Sequence, residues 1–236
     1  VLEAGDPEKP AAVLVHGSCS SSISWLGDIP ALLDQYHVFA VDIVGDAGNS
    51  EENRLDQHTE EFPKWLKEVL EGLDIREAVL IGNSLGGWIS LQFASRFPER
   101  TSKLVLIAAS GIVSVKPSFI MKTLLCLMMG RKGRAAISRM IFGPGEIPQE
   151  VEAFTSMIGE HFNPLTGALP FLTDEQMLRL TMPVIYIAGA NDATIDTIKA
   201  AQRLRRLIPS AETYIIEDCS HVIYDAKPWY LPFLSK

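Results

Sequence analysis

A serine between glycines is the first residue of this sequence that could do chemistry. Ser84 lies in Gly82-Asn83-Ser84-Leu85-Gly86, directly after the apolar run 78–81 and before an amphipathic run that begins at Trp88. A strand, a sharp turn and a helix in this order hold a serine at the tip of the turn with its hydroxyl exposed. The pattern therefore predicts Ser84 to be a nucleophile. It also predicts that the Leu85 N–H, at the helix N-terminus, stabilises the negative oxygen of an attacked carbonyl.

The flanking glycines fit the same prediction. A β-carbon at Gly82 or Gly86 would clash where the strand and the helix pack closely. The alternative is an unreactive glycine-rich turn, and a base and an acid elsewhere in the chain are needed to decide against it.

A serine hydroxyl is a weak nucleophile at neutral pH and needs a base within hydrogen-bond reach. We predict His221 as this base, because it follows a predicted strand and opens the last predicted helix. The carboxyl ends of parallel strands meet at one edge of a sheet, and Ser84 is expected at the same edge. We assign no catalytic role to the other histidines, which are His16, His37, His58 and His161. Of these, His161 lies in the interval between two predicted strands and could be either a satisfied core residue or solvated.

The acid that orients the histidine is predicted to be Asp192. It follows the predicted strand 183–188 and comes after Ser84 and before His221, an order that α/β enzymes with this serine turn use. Asp196 is the nearest rival but falls inside a predicted helix. Two further carboxylates, Asp218 and Asp225, lie too close in sequence to His221.

A second donor to the oxyanion is expected from the loop after the first apolar strand, residues 16–22. We predict the Ser18 amide as this donor and keep the Cys19 amide as the alternative. Gly17 permits a turn that is closed to other residues, and His16 is expected to brace the loop by hydrogen bonds.

Short apolar runs alternate with amphipathic runs along the chain, which predicts a parallel sheet covered by helices on both faces. Predicted strands are 12–15, 37–41, 78–81, 103–108, 183–188 and 212–216, and predicted helices are 25–35, 56–72, 85–97, 194–207 and one after His221. The fold class is therefore α/β, with a mostly parallel, doubly wound sheet.

The alternation breaks between about residues 111 and 180. This interval contains five prolines and several Met- and Leu-rich runs, which predict short helices inserted between two strands. We interpret residues 1–110 and 181–236 as the core domain and residues 111–180 as a helical cap. The alternative is a set of surface helices with no role in substrate choice.

The composition and charge of the chain limit the partners that it is expected to bind. The chain has 236 residues, of which 47% are hydrophobic, and a formal net charge of −8. An acidic protein repels phosphate and anionic lipid, so binding to nucleic acid or to a membrane surface is disfavoured. No apolar run is long enough to predict a membrane span. We expect a monomer or homodimer.

The three cysteines, Cys19, Cys126 and Cys219, are too few for a disulfide framework and indicate free thiols in a reducing compartment. No signal peptide is visible, so we expect a cytoplasmic protein. The chain opens at Val1 without an initiator methionine, and we expect part of the natural N-terminus to be missing.

Taken together, these motifs resemble the α/β-hydrolase family over nearly the whole chain. The resemblance is carried by Val15-His16-Gly17, the segment 42–50, Gly82 to Gly87, Gly189-Ala190-Asn191-Asp192 and Cys219-Ser220-His221. Within the family, the segment 41–46, Asn163-Pro164 and the segment 171–175 are similar to Bacillus-type carboxylesterases. Two departures are the shortened start, where the family usually has a hairpin before Val13, and Cys219 in place of a frequent glycine.

The expected function is hydrolysis of carboxylic esters through an acyl-enzyme on Ser84, with small apolar esters as substrates and no metal or cofactor. Two alternatives stay open. The same three residues could serve carbon–carbon bond hydrolysis or perhydrolysis, or the fold could bind ligands without catalysis. Cys19 and Cys219 are expected near the site, so thiol reagents should inhibit by blocking it.

Overall fold

A computed structural model describes residues 1–163, 165 and 167–236, except for the side chain of Arg131. Within this part of the chain, seven strands form one sheet in the order β1-β3-β2-β4-β5-β6-β7. The strands are β1 (Leu2–Ala4), β2 (Ala11–Val15), β3 (His37–Val41), β4 (Ala78–Asn83), β5 (Thr101–Ile107), β6 (Val184–Gly189) and β7 (Glu212–Ile216). Only the edge strand β1 runs antiparallel to its neighbour, so the expected mostly parallel sheet is confirmed.

Helices cover both faces of this sheet. In the described residues they are α1 (Ile29–Leu32), α2 (Glu61–Gly72), α3 (Leu85–Arg96), α4 (Pro117–Leu127), α5 (Gly130–Phe142), α6 (Gln149–His161), α7 (Asp174–Met177), α8 (Thr197–Leu207) and α9 (Lys227–Leu234). This arrangement confirms the doubly wound α/β architecture.

Strands β2 and β6 are apolar along their whole length because both faces of the sheet are buried there. In β2, Val13 and Val15 belong to the core that includes residues of α2, α3 and α8, whereas Leu14 belongs to the core that includes residues of α1 and α9. Alternate residues of a strand point to opposite faces, so both sets must be hydrophobic. Burial of a residue such as Leu14 stabilises the fold by about 1.5–3 kcal/mol.

The predicted helix over residues 25–35 is wrong. The chain instead forms a 3₁₀ turn at Ser22–Trp25, a further turn, and the four-residue helix α1. Pro30 has no N–H to donate and lies in the first turn of α1, so a helix cannot continue through it from Trp25.

Three other helix starts were predicted too early. The helix expected from residue 194 begins at Thr197, because Asp196 caps α8. The helix expected from Asp56 begins at Glu61, because the Asp56 carboxylate accepts the His58 N–H at 2.8 Å and holds a local turn. His221 does not open the last helix. That helix, α9, begins only at Lys227, after a loop that carries His221.

The helices α4 to α7 lie between β5 and β6, where short inserted helices were predicted. α4 and α5 pack closely, since a β-carbon at Gly133 of α5 would overlap the Cys126 carbonyl of α4. The N-terminus of α7 is closed by a capping box between Thr173 and Gln176. The division into a core and a cap stays a prediction.

Candidate active site

Ser84 occupies the strained turn between β4 and α3. Its backbone has φ 50° and ψ −107°, a region that a residue with a side chain rarely adopts. The turn is tight because β-carbons are absent on both sides: one at Gly86 would overlap the carbonyls of Val15 and His16, and one at Gly82 would lie 2.6 Å from the Gly87 Cα. The strained backbone conformation of Ser84 therefore results from the close packing of β2, β4 and α3.

The Ser84 hydroxyl lies within hydrogen-bond distance of a histidine from the far end of the chain. Ser84 Oγ is 2.9 Å from His221 Nε2. His221 itself stands in the loop after β7 and is buried. Because Nε2 faces the hydroxyl, a neutral imidazole with its proton on Nδ1 would accept the serine proton.

The other imidazole nitrogen faces a buried carboxylate. His221 Nδ1 is 2.7 Å from Asp192 Oδ2, and Asp192 follows β6 in the sheet. The three residues predicted from the sequence thus come together at the carboxyl ends of β4, β6 and β7. The rival Asp196 does not join them, because its carboxylate accepts the Lys199 N–H at 3.0 Å and caps α8.

Hydrogen bonds keep the Asp192 carboxylate charged despite its burial. Burial by itself raises the pKa of this carboxyl, but the bond and charge of His221 and the bonds from Thr194 outweigh it. The pKa of Asp192 therefore lies below its ordinary value. An ionised carboxylate at this position would stabilise an imidazolium, should His221 take a proton.

Thr194 is a member of the site that the sequence reasoning missed. Its hydroxyl donates to Asp192 Oδ1 at 2.7 Å and lies 3.1 Å from His221 Nδ1, and its N–H donates to the same Oδ1 at 2.6 Å. The sequence did contain a signal for this contact. An aspartate followed two residues later by a threonine is typical of a turn in which the carboxylate accepts local N–H groups.

The loop after β2 is held against the serine turn by a buried histidine. The Gly17 carbonyl accepts from His16 Nδ1 at 2.7 Å, and the Ile43 N–H donates to His16 Nε2 at 2.9 Å. Burial lowers the pKa of His16, against the raising effects of the Gly17 carbonyl and of two carboxylates, so the ring is neutral at pH 7. His16 therefore braces the loop, as expected.

The two backbone amides of Ser18 and Cys19 differ in their hydrogen bonding. The Cys19 N–H donates to Asp46 Oδ1 at 2.9 Å. The Ser18 N–H, in contrast, has no hydrogen-bond acceptor among the described residues. Leu85 is the first residue of α3, a position at which the N–H has no partner within the helix. A β-carbon on Gly17, beside Ser18, would lie 3.5 Å from the Ser84 Cβ, so this loop borders the serine.

Residues from the inserted helices touch the histidine loop. The Val222 N–H donates to the Ile141 carbonyl of α5 at 3.4 Å. Next to it, a β-carbon on Gly143, which has a φ of +86°, would overlap the Ser220 hydroxyl. The end of α5 therefore lies directly against the residues on either side of His221.

A small, mostly apolar cleft borders the residue after the nucleophile. Its lining includes Leu85, Phe62, Ile43 and Leu165, with Asp46 and Arg54 as charged members. In the part of the chain that the structure describes, no group of three His, Cys, Asp or Glu side chains could hold a metal ion. No helix there is long and apolar enough to cross a bilayer.

Comparisons with known proteins agree with this geometry. Residues 10–125 match the family model for the alpha/beta hydrolase fold. Carboxylesterase YbfK of Bacillus subtilis is 26% identical over 98% of this chain and 80% of its own length. An uncharacterized protein of Mycobacterium tuberculosis is 33% identical over 93% of this chain and 72% of its own. The crystal structure of carboxylesterase CesB (YbfK) from Bacillus subtilis superposes with a TM-score of 0.83, at 24% identity, over 99% of this chain and 84% of that one. The expected resemblance is confirmed.

Proposed function

Since this chain belongs to the α/β-hydrolase family and is a hydrolase, we propose that it cleaves small carboxylic esters with Ser84 as the nucleophile. The observation that carries the proposal is the continuous line of contacts at one edge of the sheet. Ser84 Oγ lies 2.9 Å from His221 Nε2, and His221 Nδ1 lies 2.7 Å from Asp192 Oδ2. This is the geometry that serine activation requires.

In the acylation step, Ser84 Oγ attacks the ester carbonyl while His221 Nε2 takes the hydroxyl proton. The carbonyl oxygen becomes negative in the tetrahedral intermediate. When the intermediate collapses, the bond to the alkoxy oxygen breaks, and His221 gives its proton to the departing alcohol. Asp192 stays ionised and stabilises the imidazolium between the two transfers.

In the deacylation step, water takes the place of the alcohol. His221 accepts a proton from this water, and the resulting hydroxide attacks the acyl carbonyl. The bond to Ser84 Oγ then breaks, Ser84 regains its proton from His221, and the carboxylic acid leaves. The enzyme returns to its starting protonation state, so no cofactor is consumed.

The oxyanion is assigned to the amides of Leu85 and Ser18. Both N–H groups border Ser84 without a partner in the described residues, whereas the Cys19 N–H is already bound to Asp46. Two donors held in place before the reaction stabilise the intermediate without reorganisation. Loss of one such donor typically costs about 2.7–4 kcal/mol of transition-state stabilisation.

We assign residues 111–180 as a cap that bounds the substrate site. The contact of Ile141 with Val222 supports this role, because it places the end of α5 against the histidine loop. The small cleft beside Leu85 is lined mainly by apolar side chains, which favours uncharged acyl groups of modest size. The name of the Bacillus relative, a carboxylesterase, agrees with an ester as substrate.

The test combines p-nitrophenyl esters of rising acyl length with a serine-directed phosphonate. We expect the wild type to hydrolyse the short esters and to be labelled at Ser84. The Ser84→Ala variant should lose at least about 10⁴-fold in kcat, because the nucleophile is absent. Ser210→Ala, at an exposed loop serine, is the matched control and should keep full activity.

The outcomes separate the alternatives. An unchanged rate in Ser84→Ala would reject the proposal. Labelling of Ser84 without ester turnover would point to another reaction of the same residues, such as carbon–carbon bond hydrolysis. Absence of both labelling and turnover would favour a ligand-binding protein.

A further inference from the structure

Charge is distributed very unevenly along this chain. Residues 111–145 contain six of the 21 lysines and arginines and none of the 29 acidic residues, which gives this segment a net charge of +6. The remainder of the chain has 15 basic and 29 acidic residues and a net charge of −14. The overall value of −8 therefore conceals a strongly basic region.

This basic region coincides with helices α4 and α5. We call residues 116–142 the basic hairpin, since the two helices pack against each other where Gly133 meets Cys126. Its exposed cations are Lys122, Lys132, Arg134 and Arg139. None of these four forms an ion pair with a carboxylate of the described residues. Their charge is thus available to a partner.

The same hairpin exposes a set of large apolar side chains. They are Ile120 (42% exposed), Met121 (61%), Leu124 (56%), Leu125 (57%), Leu127 (57%), Met128 (86%) and Met129 (60%). Isolated exposed hydrophobic residues are ordinary, but seven within ten consecutive positions form a patch that marks an interaction surface. The most exposed of them, Met128, stands between the two helices.

We propose that the basic hairpin docks on the surface of an anionic lipid bilayer. Leucines and methionines flanked by lysines and arginines are the composition of helices that lie in the interface between lipid headgroups and acyl chains. The −14 charge of the remainder is repelled by the same surface, so the electrostatic field of the protein turns the hairpin toward the lipid.

Other occupants fit these observations less well. A second copy of the chain in a symmetric dimer would place one +6 segment against another, and like charges oppose such a contact. An acidic protein would satisfy the cations, but it would have to cover seven protruding apolar side chains with a matching apolar surface. A bilayer satisfies both, because its headgroups are anionic and its acyl chains accept the apolar groups without a specific fit.

The location of the hairpin gives this docking a consequence for the site. The end of α5 contacts the histidine loop through Ile141 and Val222. A bilayer bound to the hairpin would therefore lie next to the entrance of the site, and an apolar ester dissolved in the lipid could enter without crossing bulk water. This consequence rests on the proposed function, whereas the docking itself does not.

Vesicle flotation measures the docking without reference to activity. We expect the whole protein to float with vesicles of phosphatidylcholine and phosphatidylglycerol at low salt, and not with pure phosphatidylcholine vesicles. Salt of about 0.5 M should release most of it, because surface electrostatics are screened. No flotation with anionic vesicles at low salt would overturn the proposal.

Two variants of equal net charge locate the surface. Lys122→Gln, Lys132→Gln and Arg134→Gln together should lower the lipid partition coefficient on the order of 100-fold, since each cation near the surface contributes about fivefold. The matched control carries Lys64→Gln, Arg179→Gln and Arg206→Gln, exposed cations outside the hairpin, and should bind like the wild type. Equal losses in both variants would contradict the assignment.

A tryptophan at the tip of the basic hairpin reports its insertion into the bilayer. The fluorescence of Met128→Trp, measured as the difference from the wild type, should shift to the blue and be quenched by brominated lipid when anionic vesicles are added. Leu178→Trp, at a 60% exposed position outside the hairpin, should not respond. Binding to poly-glutamate without binding to vesicles would instead indicate an acidic protein partner and overturn the lipid proposal.

Discussion

At the scale of single residues, we expect Thr194 to be a positioning residue in the proposed reaction, because it contacts Asp192 and His221. Its hydroxyl bonds Asp192 Oδ1 and lies 3.1 Å from His221 Nδ1. A buried carboxylate that loses such a donor keeps fewer of the bonds that hold it beside the imidazole. The effect of Thr194 on the reaction therefore acts through the orientation of His221.

Replacement of Thr194 by valine tests this role. We expect kcat to fall by about 10- to 100-fold, the equivalent of one hydrogen bond to a charged group, with little change in KM. Thr194→Ser keeps the hydroxyl and should retain most of the activity. Steady-state kinetics on a p-nitrophenyl ester measure both values. A fall confined to KM would show that Thr194 acts on substrate binding.

Cys19, in the loop after β2, is less reactive than its location beside Ser84 suggests. Burial and the Asp46 carboxylate raise the pKa of the Cys19 thiol to about 11. The thiolate is the reactive form, so at neutral pH only a small fraction of Cys19 can react. Burial also raises the pKa of Cys219.

We therefore expect thiol reagents to inhibit slowly at pH 7. The rate of Cys19 alkylation by iodoacetamide should rise about tenfold per pH unit until the pH approaches about 11. Peptide mass spectrometry after timed quenching measures this rate. If loss of activity follows the time course of Cys19 alkylation, the Cys19→Ser variant should resist it. Rapid modification of Cys19 at pH 7 would contradict the expected pKa.

At the scale of secondary-structure elements, the serine turn depends on how closely α3 approaches β2. Gly86 faces the carbonyls of Val15 and His16 with no space for a β-carbon. Both obstacles are backbone atoms, which cannot move aside as a flexible side chain can. The helix would have to retreat from the sheet, and Ser84 would move away from His221 with it.

Gly86→Ala should therefore destabilise the protein and abolish ester hydrolysis. We expect a loss of about 1–3 kcal/mol or more in the free energy of unfolding, the usual cost of overpacking. Gly72→Ala is the matched control, because a β-carbon there meets nothing within 4 Å. Urea unfolding measures both, and the control should be neutral or slightly more stable. Unchanged activity in Gly86→Ala would show that the turn tolerates the shift.

At the scale of the whole molecule, the buried Asp192 links folding to pH. Its pKa is lower in the folded state than in the unfolded chain, so folding favours the ionised form. The stability that this provides is present above the ordinary pKa of an aspartate and is lost as the pH falls through the lower folded value. Acid should therefore remove the contribution of Asp192 to stability.

A comparison of the wild type with Asp192→Asn shows this linkage. We expect the variant to be less stable at pH 7, because a neutral amide at this position cannot pair with the imidazole as the carboxylate does. The gap in the free energy of unfolding should begin to narrow as the pH falls through about 4, the ordinary pKa of an aspartate, because the unfolded wild-type chain then binds a proton that the folded protein does not. Urea unfolding at each pH measures the gap. Glu52→Gln, at an exposed position, provides the control, and a constant gap for Asp192→Asn would contradict the assignment.

The amino-acid sequence is enough to predict the parallel sheet, six of the seven strands in the part of the chain that the structure describes, and the residues proposed for the reaction. Local rules suffice for these. Apolar runs specify buried strands, glycines specify the serine turn, and Ser84, Asp192 and His221 each follow a strand, so a parallel sheet must bring them to one edge. The prediction failed over residues 25–35 because one proline outweighed a helical pattern.

The other polar contacts around the site depend on how the loops fold and could not be predicted from the sequence. Thr194 joins the site because the loop after β6 folds back on its own carboxylate, and the Cys19 amide is taken by Asp46, 27 residues further along the chain. The exposed face of the basic hairpin likewise could not be read from composition. Whether a helix is buried depends on which elements pack against it. A Leu- and Met-rich helix has the same composition whether it packs on a hydrophobic core or remains exposed.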